Sequence, residues 1–177
     1  MKPRLATWLP LGLFAGFCAL VLVGLYRPAS RDIASQMIGQ PLPAFALAPI
    51  AADRPPLASA AFAGGKPKLL NIFASWCIPC AAEAPQLAQL AGEGVPIEGV
   101  AIRDRPDDLA RFLARYGNPY SAIGSDPTSA VQLAIGSSGV PESFVVDGKG
   151  LIRYQHIGGI EPQDLGLIRA KLAEAAQ

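Results

Sequence analysis

The sequence has few charged residues, few cysteines and a single histidine for its length. Only 16% of its 177 residues are charged, and it contains three cysteines. Disulfide-rich scaffolds carry about four or more cysteines, so this class is excluded. The 15 Lys and Arg residues nearly balance the 14 Asp and Glu residues. Because duplex binding requires an excess of Lys and Arg to displace counterions, we expect no nucleic-acid partner.

Hydrophobic residues, in contrast, are abundant at 51%, and a long run of them lies near the N-terminus. Residues 8–26 (WLPLGLFAGFCALVLVGLY) contain no charged side chain. As a helix they extend roughly 28 Å, which matches the hydrocarbon thickness of a bilayer. Trp8 and Tyr26 lie at the two ends of the run, where aromatic rings prefer the headgroup region. The pattern predicts one transmembrane helix.

The flanking residues favour an uncleaved anchor with a cytoplasmic N-terminus. Lys2 and Arg4 precede the run, and this positive charge favours translocation of the chain that follows. The alternative is a cleaved signal peptide, whose apolar region is usually shorter and is followed by small residues. Here Arg27 and Pro28 occupy those positions. We therefore predict that the anchor remains attached.

These features divide the chain into four predicted segments. A cytoplasmic N-terminus covers residues 1–7, and the anchor covers 8–26. Seven prolines in residues 27–67 indicate an extended, lightly structured stretch, of which 27–38 is the predicted tether. Residues 39–177 form one predicted domain, which is long enough to bury a single core.

Strands and helices alternate in the predicted domain. Short apolar runs predict four strands, over 69–75, 95–102, 143–147 and 151–157. Helical spacing and capping signals predict four helices, over 81–91 and beginning at Pro106, at Asp126-Pro127 and at Glu161-Pro162. The order predicts an α/β fold with a central mixed β-sheet flanked by helices.

Two of the three cysteines form a Cys-Ile-Pro-Cys motif between a predicted strand and a predicted helix. Cys77 then lies at a helix N-terminus, where unpaired amides and the helix dipole favour a thiolate. Cys80 follows one turn later and can form a disulfide with Cys77. We predict that Cys77 is the attacking nucleophile and that Cys80 resolves the mixed disulfide.

Other uses of a cysteine pair receive less support. A zinc site needs further ligands, for which the candidates are Cys18 in the predicted membrane helix and His156. Haem attachment requires histidine after the second cysteine, but residue 81 is alanine. A purely structural disulfide would close a very small loop. Copper binding stays open as an alternative, although one histidine and two methionines disfavour a dedicated copper carrier. We expect no metal and no cofactor other than the redox-active disulfide.

The segment LLNIFASWCIPC (69–80) resembles the active-site segment of thioredoxin-fold oxidoreductases. The segments GQPLPAFAL (39–47) and GVPESFVVDGKGLIRYQHIGG (139–159) are similar to the DsbE/CcmG family. These are membrane-anchored thiol:disulfide interchange proteins of cytochrome c maturation. The resemblance covers most of residues 39–175 and implies a thioredoxin fold after one transmembrane helix. It also implies a catalytic domain that faces the periplasm from the bacterial inner membrane.

The resemblance implies a thiol:disulfide oxidoreductase that reduces the CxxCH disulfide of apocytochrome c before haem attachment. The implied partners are apocytochrome c, a CcmH-type thiol protein of the maturation machinery and an electron donor of the DsbD/CcdA type. Two alternatives stay open. One is a general periplasmic thiol oxidant or isomerase, and the other is a non-enzymatic copper or haem chaperone.

The resemblance also assigns residues around the cysteine pair. Pro141 matches the cis-proline of the family, and such a bond is uncommon enough to mark a specific turn. Val140, Pro141 and Glu142 are then expected to bind the substrate as an added strand. Trp76 and Pro79 are expected to support the active site.

Two glutamates are candidates for tuning the thiols. Glu83 matches an acidic residue that the family keeps beside its active site, and the alternative is a solvated charge on the helix. Thioredoxin itself has a buried aspartate six positions before its first cysteine, where this chain has Asn71. Glu142, next to Pro141, is the second candidate. His156 is interpreted as a structural residue.

Overall fold

The computed structural model describes residues 5–26 and 36–177, and the predictions for residues 1–4 and 27–35 lie outside these ranges. Helix α1 (Leu5–Tyr26) is the N-terminal element. Within it, Trp8–Leu25 is long and apolar enough to cross a membrane, and none of this described window is buried. The predicted apolar helix is therefore present.

A five-stranded mixed sheet forms the centre of the second compact unit, Ser35–Gln177. The five strands are β3 (Lys68–Phe73), β4 (Ile97–Ile102), β5 (Ala122–Asp126), β6 (Glu142–Val146) and β7 (Ile152–Ile157). Their order across the sheet is β5-β4-β3-β6-β7. Strands β3, β4 and β5 are parallel, whereas β6 runs antiparallel to β3 and β7 runs antiparallel to β6.

Four helices follow these strands: α2 (Ile78–Gly92), α3 (Pro106–Tyr116), α4 (Ala130–Ala134) and α5 (Leu165–Ala175). The parallel connections β3-α2-β4 and β4-α3-β5 progress in one direction, so α2 and α3 lie on one face of the sheet. The side chains agree, since Asn71 of β3 contacts Glu83 of α2 and Phe73 packs on Phe112 of α3. The central strand β3 ends at Phe73, and a short loop connects it to the start of α2 at Ile78.

A small ribbon covers part of the opposite face. Strands β1 (Ala46–Leu47) and β2 (Leu57–Ala58) pair antiparallel, and a 3-10 helix (Ser59–Phe62) follows. A Cβ atom on Gly124 would lie 2.7 Å from Leu47, so the close packing of the ribbon on β5 requires glycine there. The stretch predicted to be extended and lightly structured thus contains only short elements, but Leu57 and Phe62 within it are core residues. Two-residue strands leave no periodicity to detect.

Strand β5 was also not predicted, because its sequence AIGSD has one β-branched residue beside residues that disfavour strands. The helix predicted to begin at Asp126-Pro127 is present, but it begins later, at Ala130, because β5 extends to Asp126. The Asp126 carboxylate still stabilises α4. It accepts hydrogen bonds of 2.8–3.1 Å from the backbone amides of Ala130, Val131 and Gln132.

The other predicted elements are present with shifted ends. Helix α2 begins earlier than predicted, at Ile78, and continues through Pro85 to Gly92. A 3-10 turn over Pro162–Asp164 precedes α5, which begins at Leu165. The predicted fold class, a mixed central sheet flanked by helices and preceded by one apolar helix, is confirmed.

Candidate active site

The two cysteines of the motif form a disulfide at the end of β3, with 5.3 Å between their Cα atoms. Cys77 is the N-cap residue of α2, and its Sγ atom accepts a hydrogen bond of 3.2 Å from the Cys80 amide. Both residues are recessed, with Cys77 5% and Cys80 2% exposed. The amide and the positive end of the α2 dipole act on the Cys77 sulfur, and both favour a thiolate there.

Two exposed apolar residues are sequence neighbours of the recessed Cys77. Trp76 is 58% and Ile78 is 84% exposed. These fractions are high for large apolar residues, and the two side chains are available to contact a bound polypeptide. Pro79 lies in the first turn of α2, where a missing amide hydrogen removes no helical hydrogen bond.

The loop that carries Cys77 is held by a residue that the sequence analysis missed. The Asp104 carboxylate, just after β4, accepts hydrogen bonds of 2.6 Å from both the amide and the hydroxyl of Ser75. Arg103 precedes it with a φ of 46°, an unusual conformation for a residue with a side chain. Asp104 follows a buried strand at the same sheet edge as Cys77, and that position was the available signal.

The proline loop lies beside the cysteine loop. The Val140–Pro141 peptide bond is cis, as the resemblance implied. Gly159 lies between the two loops, since a Cβ atom placed on it would be 3.4 Å from the Pro79 carbonyl oxygen and 3.8 Å from Pro141 Cγ. Both are ordinary van der Waals distances, so Gly159 packs against both loops. Gly159 was not among the predicted site residues, although this glycine ends the segment that resembles the family.

Glu142 holds the proline loop from β6. One carboxylate oxygen accepts hydrogen bonds from the amide and the hydroxyl of Ser138, and the other accepts one of 2.9 Å from Gln155. Glu142 is 1% exposed. It is paired with Ile72, whereas its neighbour Ser143 is paired with Asn71 on the α2 face. Because side chains alternate along a strand, Glu142 lies on the face away from α2 and does not join Glu83.

Glu83 is buried beside the cysteine pair and is not a solvated helix charge. It lies one turn after Cys80 on α2 and is 1% exposed. Its carboxylate accepts hydrogen bonds of 3.0 Å from Asn71 Nδ2 and 2.9 Å from the Ile160 amide. Burial raises the pKa of Glu83 from 4.5 to about 7, against the opposing effect of the two hydrogen bonds.

Asn71 connects Glu83 to two further buried side chains. Its Nδ2 atom also donates to the Ser143 hydroxyl at 3.0 Å, and its Oδ1 atom accepts from the Tyr120 hydroxyl at 2.9 Å. Burial, with a smaller contribution from the Glu83 charge, holds the pKa of Tyr120 well above its usual value. Asn71 was identified from the sequence as the position of the missing acid, whereas Tyr120 and Ser143 were not identified. Asn71 of β3 stands where thioredoxin has its buried aspartate, and the Glu83 carboxyl group from α2 lies next to that position.

His156 lies outside this cluster. Its Nε2 atom is 3.4 Å from the Gly159 carbonyl oxygen and 3.6 Å from the Asp164 carboxylate. These contacts join β7 to the segment before α5, in keeping with a structural role. Among residues 5–26 and 36–177, no three His, Cys, Asp or Glu side chains come together as possible metal ligands.

The cysteine pair lies at the N-terminus of a helix that follows the central strand, and a cis-proline lies beside it. This is the arrangement of thioredoxin-fold thiol:disulfide oxidoreductases. This chain has that arrangement and that activity. The Redoxin family model matches residues 37–170, and the chain belongs to this family, among the DsbE/HelX thiol:disulfide interchange proteins. The resemblance found in the sequence is therefore confirmed.

The similarity to curated relatives extends over most of the chain. The thiol:disulfide interchange protein HelX of Rhodobacter capsulatus is 40% identical over 145 residues, which cover 82% of each protein. DsbE of Pseudomonas fluorescens biotype C is 38% identical over 152 residues, covering 86% of this chain and 84% of the relative. The crystal structure of a DsbE protein from Chlorobium tepidum superposes with a TM-score of 0.66 at 26% identity, covering 79% of this chain and 98% of that one.

Proposed function

We propose that this chain reduces the CxxCH disulfide of apocytochrome c in the periplasm before haem attachment. The similarity to DsbE and HelX proteins supports a place in cytochrome c maturation. The buried Glu83 carboxyl beside the cysteine pair is the observation that supports reduction over oxidation.

The direction of electron flow depends on how well the reduced pair is stabilised. A strong oxidant such as DsbA owes its potential to a stabilised reduced form. In this chain, a carboxylate one turn after Cys80 repels a thiolate and opposes the α2 dipole at Cys77. Destabilising the reduced pair makes it a better electron donor. Glu83 therefore favours a reductant.

The proposed reaction begins with the reduced pair. The Cys77 thiolate attacks one sulfur of the substrate disulfide, which forms a mixed disulfide and releases one substrate thiolate. Cys80 loses its proton, which we assign to the Glu83 carboxylate, and attacks the Cys77 sulfur. The second substrate thiolate then leaves. Two electrons have passed to the substrate, its two thiolates take up protons, and the enzyme holds the Cys77–Cys80 disulfide.

The substrate is expected to lie between the proline loop and the cysteine loop. Val140 precedes the cis-proline and offers its backbone groups to an extended peptide as an added strand. Trp76 and Ile78 provide apolar contacts beside the disulfide. Glu142 acts indirectly in this arrangement, because its buried carboxylate holds Ser138 at the start of the loop.

Two further protein partners complete the proposed cycle. An electron donor of the DsbD/CcdA type re-reduces the Cys77–Cys80 disulfide after each turnover. A CcmH-type thiol protein exchanges disulfides within the same maturation machinery. Helix α1 keeps the catalytic domain at the periplasmic face of the inner membrane, near a membrane-embedded donor.

The redox equilibrium of the full-length protein in detergent against glutathione tests the direction of the reaction. We expect a potential near the thioredoxin value of about −270 mV, and rapid reduction of an oxidised CxxCH peptide by the reduced protein. A potential near the DsbA value of about −120 mV would instead support a general oxidant. A peptide with the same residues but a longer disulfide loop is the control for substrate selectivity.

Retention of the anchor is tested by fractionation. Because Trp8–Leu25 is long and apolar and Arg27-Pro28 follow the apolar run, we expect the full-length chain in carbonate-washed membranes. N-terminal sequencing measures whether the segment before residue 30 is retained. A mature chain that begins near residue 30 would show that the segment is a cleaved signal peptide.

A further inference from the structure

The Asn71 side chain has a defined orientation in its buried cluster, and one neighbour, Tyr120, bonds its oxygen. An asparagine side chain has an acceptor oxygen and a donor nitrogen, so its orientation decides whether it donates to or accepts from a neighbour. The Tyr120 hydroxyl donates to Asn71 Oδ1 at 2.9 Å. With Oδ1 occupied, Asn71 Nδ2 faces Glu83 Oε1 and the Ser143 oxygen, each at 3.0 Å.

We propose that Tyr120 is a positioning residue that fixes Asn71 as a donor to Glu83 and so favours the ionised carboxylate beside the cysteine pair. A rotated Asn71 amide would present its oxygen to Glu83, and only a protonated carboxyl can donate to that oxygen. The inference deepens the proposed function and rests on the role of Glu83 as the proton acceptor for Cys80.

The position of the Tyr120 hydroxyl is itself well fixed. The Tyr120 ring stacks on Phe73, with 4.6 Å between ring centroids. A Cβ atom on Gly99 would lie 2.9 Å from both rings, so β4 carries glycine where they pack. The Tyr120 amide donates to Asn118 Oδ1 at 3.2 Å, which holds the backbone before β5. The hydroxyl therefore has little freedom to leave Asn71.

Each element packed around Glu83 contributes an identifiable group. Helix α2 carries the Cys77–Cys80 disulfide, which titrates only after reduction, and the segment before β5 contributes Tyr120. Strands β3 and β6 contribute the uncharged side chains of Asn71 and Ser143, and the segment after β7 contributes the Ile160 amide. Since the pKa of Tyr120 lies well above its usual value, its hydroxyl remains a donor at neutral pH.

The test is the Tyr120→Phe variant of the full-length oxidised protein in detergent micelles. Carboxyl carbon resonances of labelled glutamate report the titration of Glu83, with the Glu83 signal assigned from Glu83→Gln. We expect the Glu83 midpoint to rise by about half to one pH unit, because the ionised form loses a fixed donor. An unchanged midpoint overturns the proposal, even if the variant is less stable.

Two matched variants separate this effect from a general loss of packing. Tyr116→Phe removes a hydroxyl from a half-exposed tyrosine of α3 and is expected to leave the Glu83 midpoint unchanged. Ser143→Ala removes the other hydroxyl of the cluster but leaves the Tyr120–Asn71–Glu83 hydrogen bonds in place. A shift in Ser143→Ala as large as that in Tyr120→Phe would overturn the specific role of Tyr120.

A second readout distinguishes this inference from the proposed function. In the reduced protein, Tyr120→Phe is expected to shift the pH profile of Cys77 alkylation, but not when Glu83 is already replaced by Gln. Equal shifts in both backgrounds overturn the action of Tyr120 through Glu83. If the Glu83 midpoint moves but Glu83→Gln leaves the thiol profile unchanged, Tyr120 positions Glu83 as inferred and the role proposed for Glu83 is wrong.

Discussion

Replacement of Cys80 by serine is expected to convert most of the reduced enzyme into a stable covalent complex with an oxidised CxxCH peptide. Cys77 is the N-cap residue of α2, so its thiolate is stabilised and attacks first. Without the Cys80 thiol, nothing within the protein displaces the substrate from Cys77. Intact mass measurement under non-reducing conditions detects the complex as enzyme plus peptide.

The Cys77→Ser variant is the matched control for this experiment. It keeps the Cys80 thiol, which lies within α2 and is 2% exposed, and is expected to form no complex. Both variants lose the ability to form the internal disulfide, so this loss cannot explain a difference between them. Equal trapping by the two variants would contradict the assignment of Cys77 as nucleophile.

The stability of the folded domain is expected to decrease by about 3 kcal/mol between pH 4 and pH 8 because of Glu83 alone. The pKa of Glu83 is about 7 in the folded protein and 4.5 as its ordinary value. Below pH 4.5 both the folded and the unfolded states are protonated. As the pH rises toward 7, ionisation favours the unfolded state, so the free energy of unfolding falls and then levels off above pH 7.

Chemical denaturation of the full-length oxidised protein at several pH values, followed by near-ultraviolet circular dichroism, measures this decrease. In the Glu83→Gln variant we expect most of this decrease with pH to be absent, whatever the absolute stability of the variant. Glu93→Gln is the control, because Glu93 is partly exposed and its ion pair with Arg169 lowers its pKa. Glu93 thus contributes a pH dependence of the opposite sign. An identical decrease in wild type and Glu83→Gln would show that the pKa of Glu83 is not raised in the folded protein.

The parts of the fold that were predicted are those with long apolar runs. Strands β3, β4 and β6 are mostly apolar, and apolar and polar residues alternate along most of β7. Turn residues lie near the ends of these strands. Strand β5 was missed because it is short and contains Gly and Asp, and the β1–β2 ribbon was missed because each of its strands is two residues long. Tertiary packing decides their structure, since β5 is a strand through its pairing with β4.

Some active-site residues could likewise be identified from the sequence, and others could not. Cys77, Cys80 and Pro141 were found because a motif or a family segment contains them. Tyr120 and Ser143 were not, since each meets Asn71 from a position 49 or 72 residues further along the chain. No local pattern encodes such a contact.

Glu83 was an intermediate case. It lies on the buried stripe of α2 together with Cys80, Leu87 and Leu90, at the three- and four-residue spacing of one helix face. That spacing is typical of the buried face of a helix. A single carboxyl group among apolar residues also fits a surface position, because burial of a charge is costly unless the group is hydrogen-bonded. The partners that supply those hydrogen bonds come from β3 and from the segment after β7.

The recessed position of the disulfide limits how the enzyme can turn over. In the proposed cycle the Cys77 sulfur attacks the substrate disulfide, and the same sulfur is later attacked by the thiolate that restores the dithiol. Because Cys77 is 5% and Cys80 2% exposed, both reactions use one small opening. We therefore expect substrate and electron donor to compete for this opening and the two half-reactions to alternate.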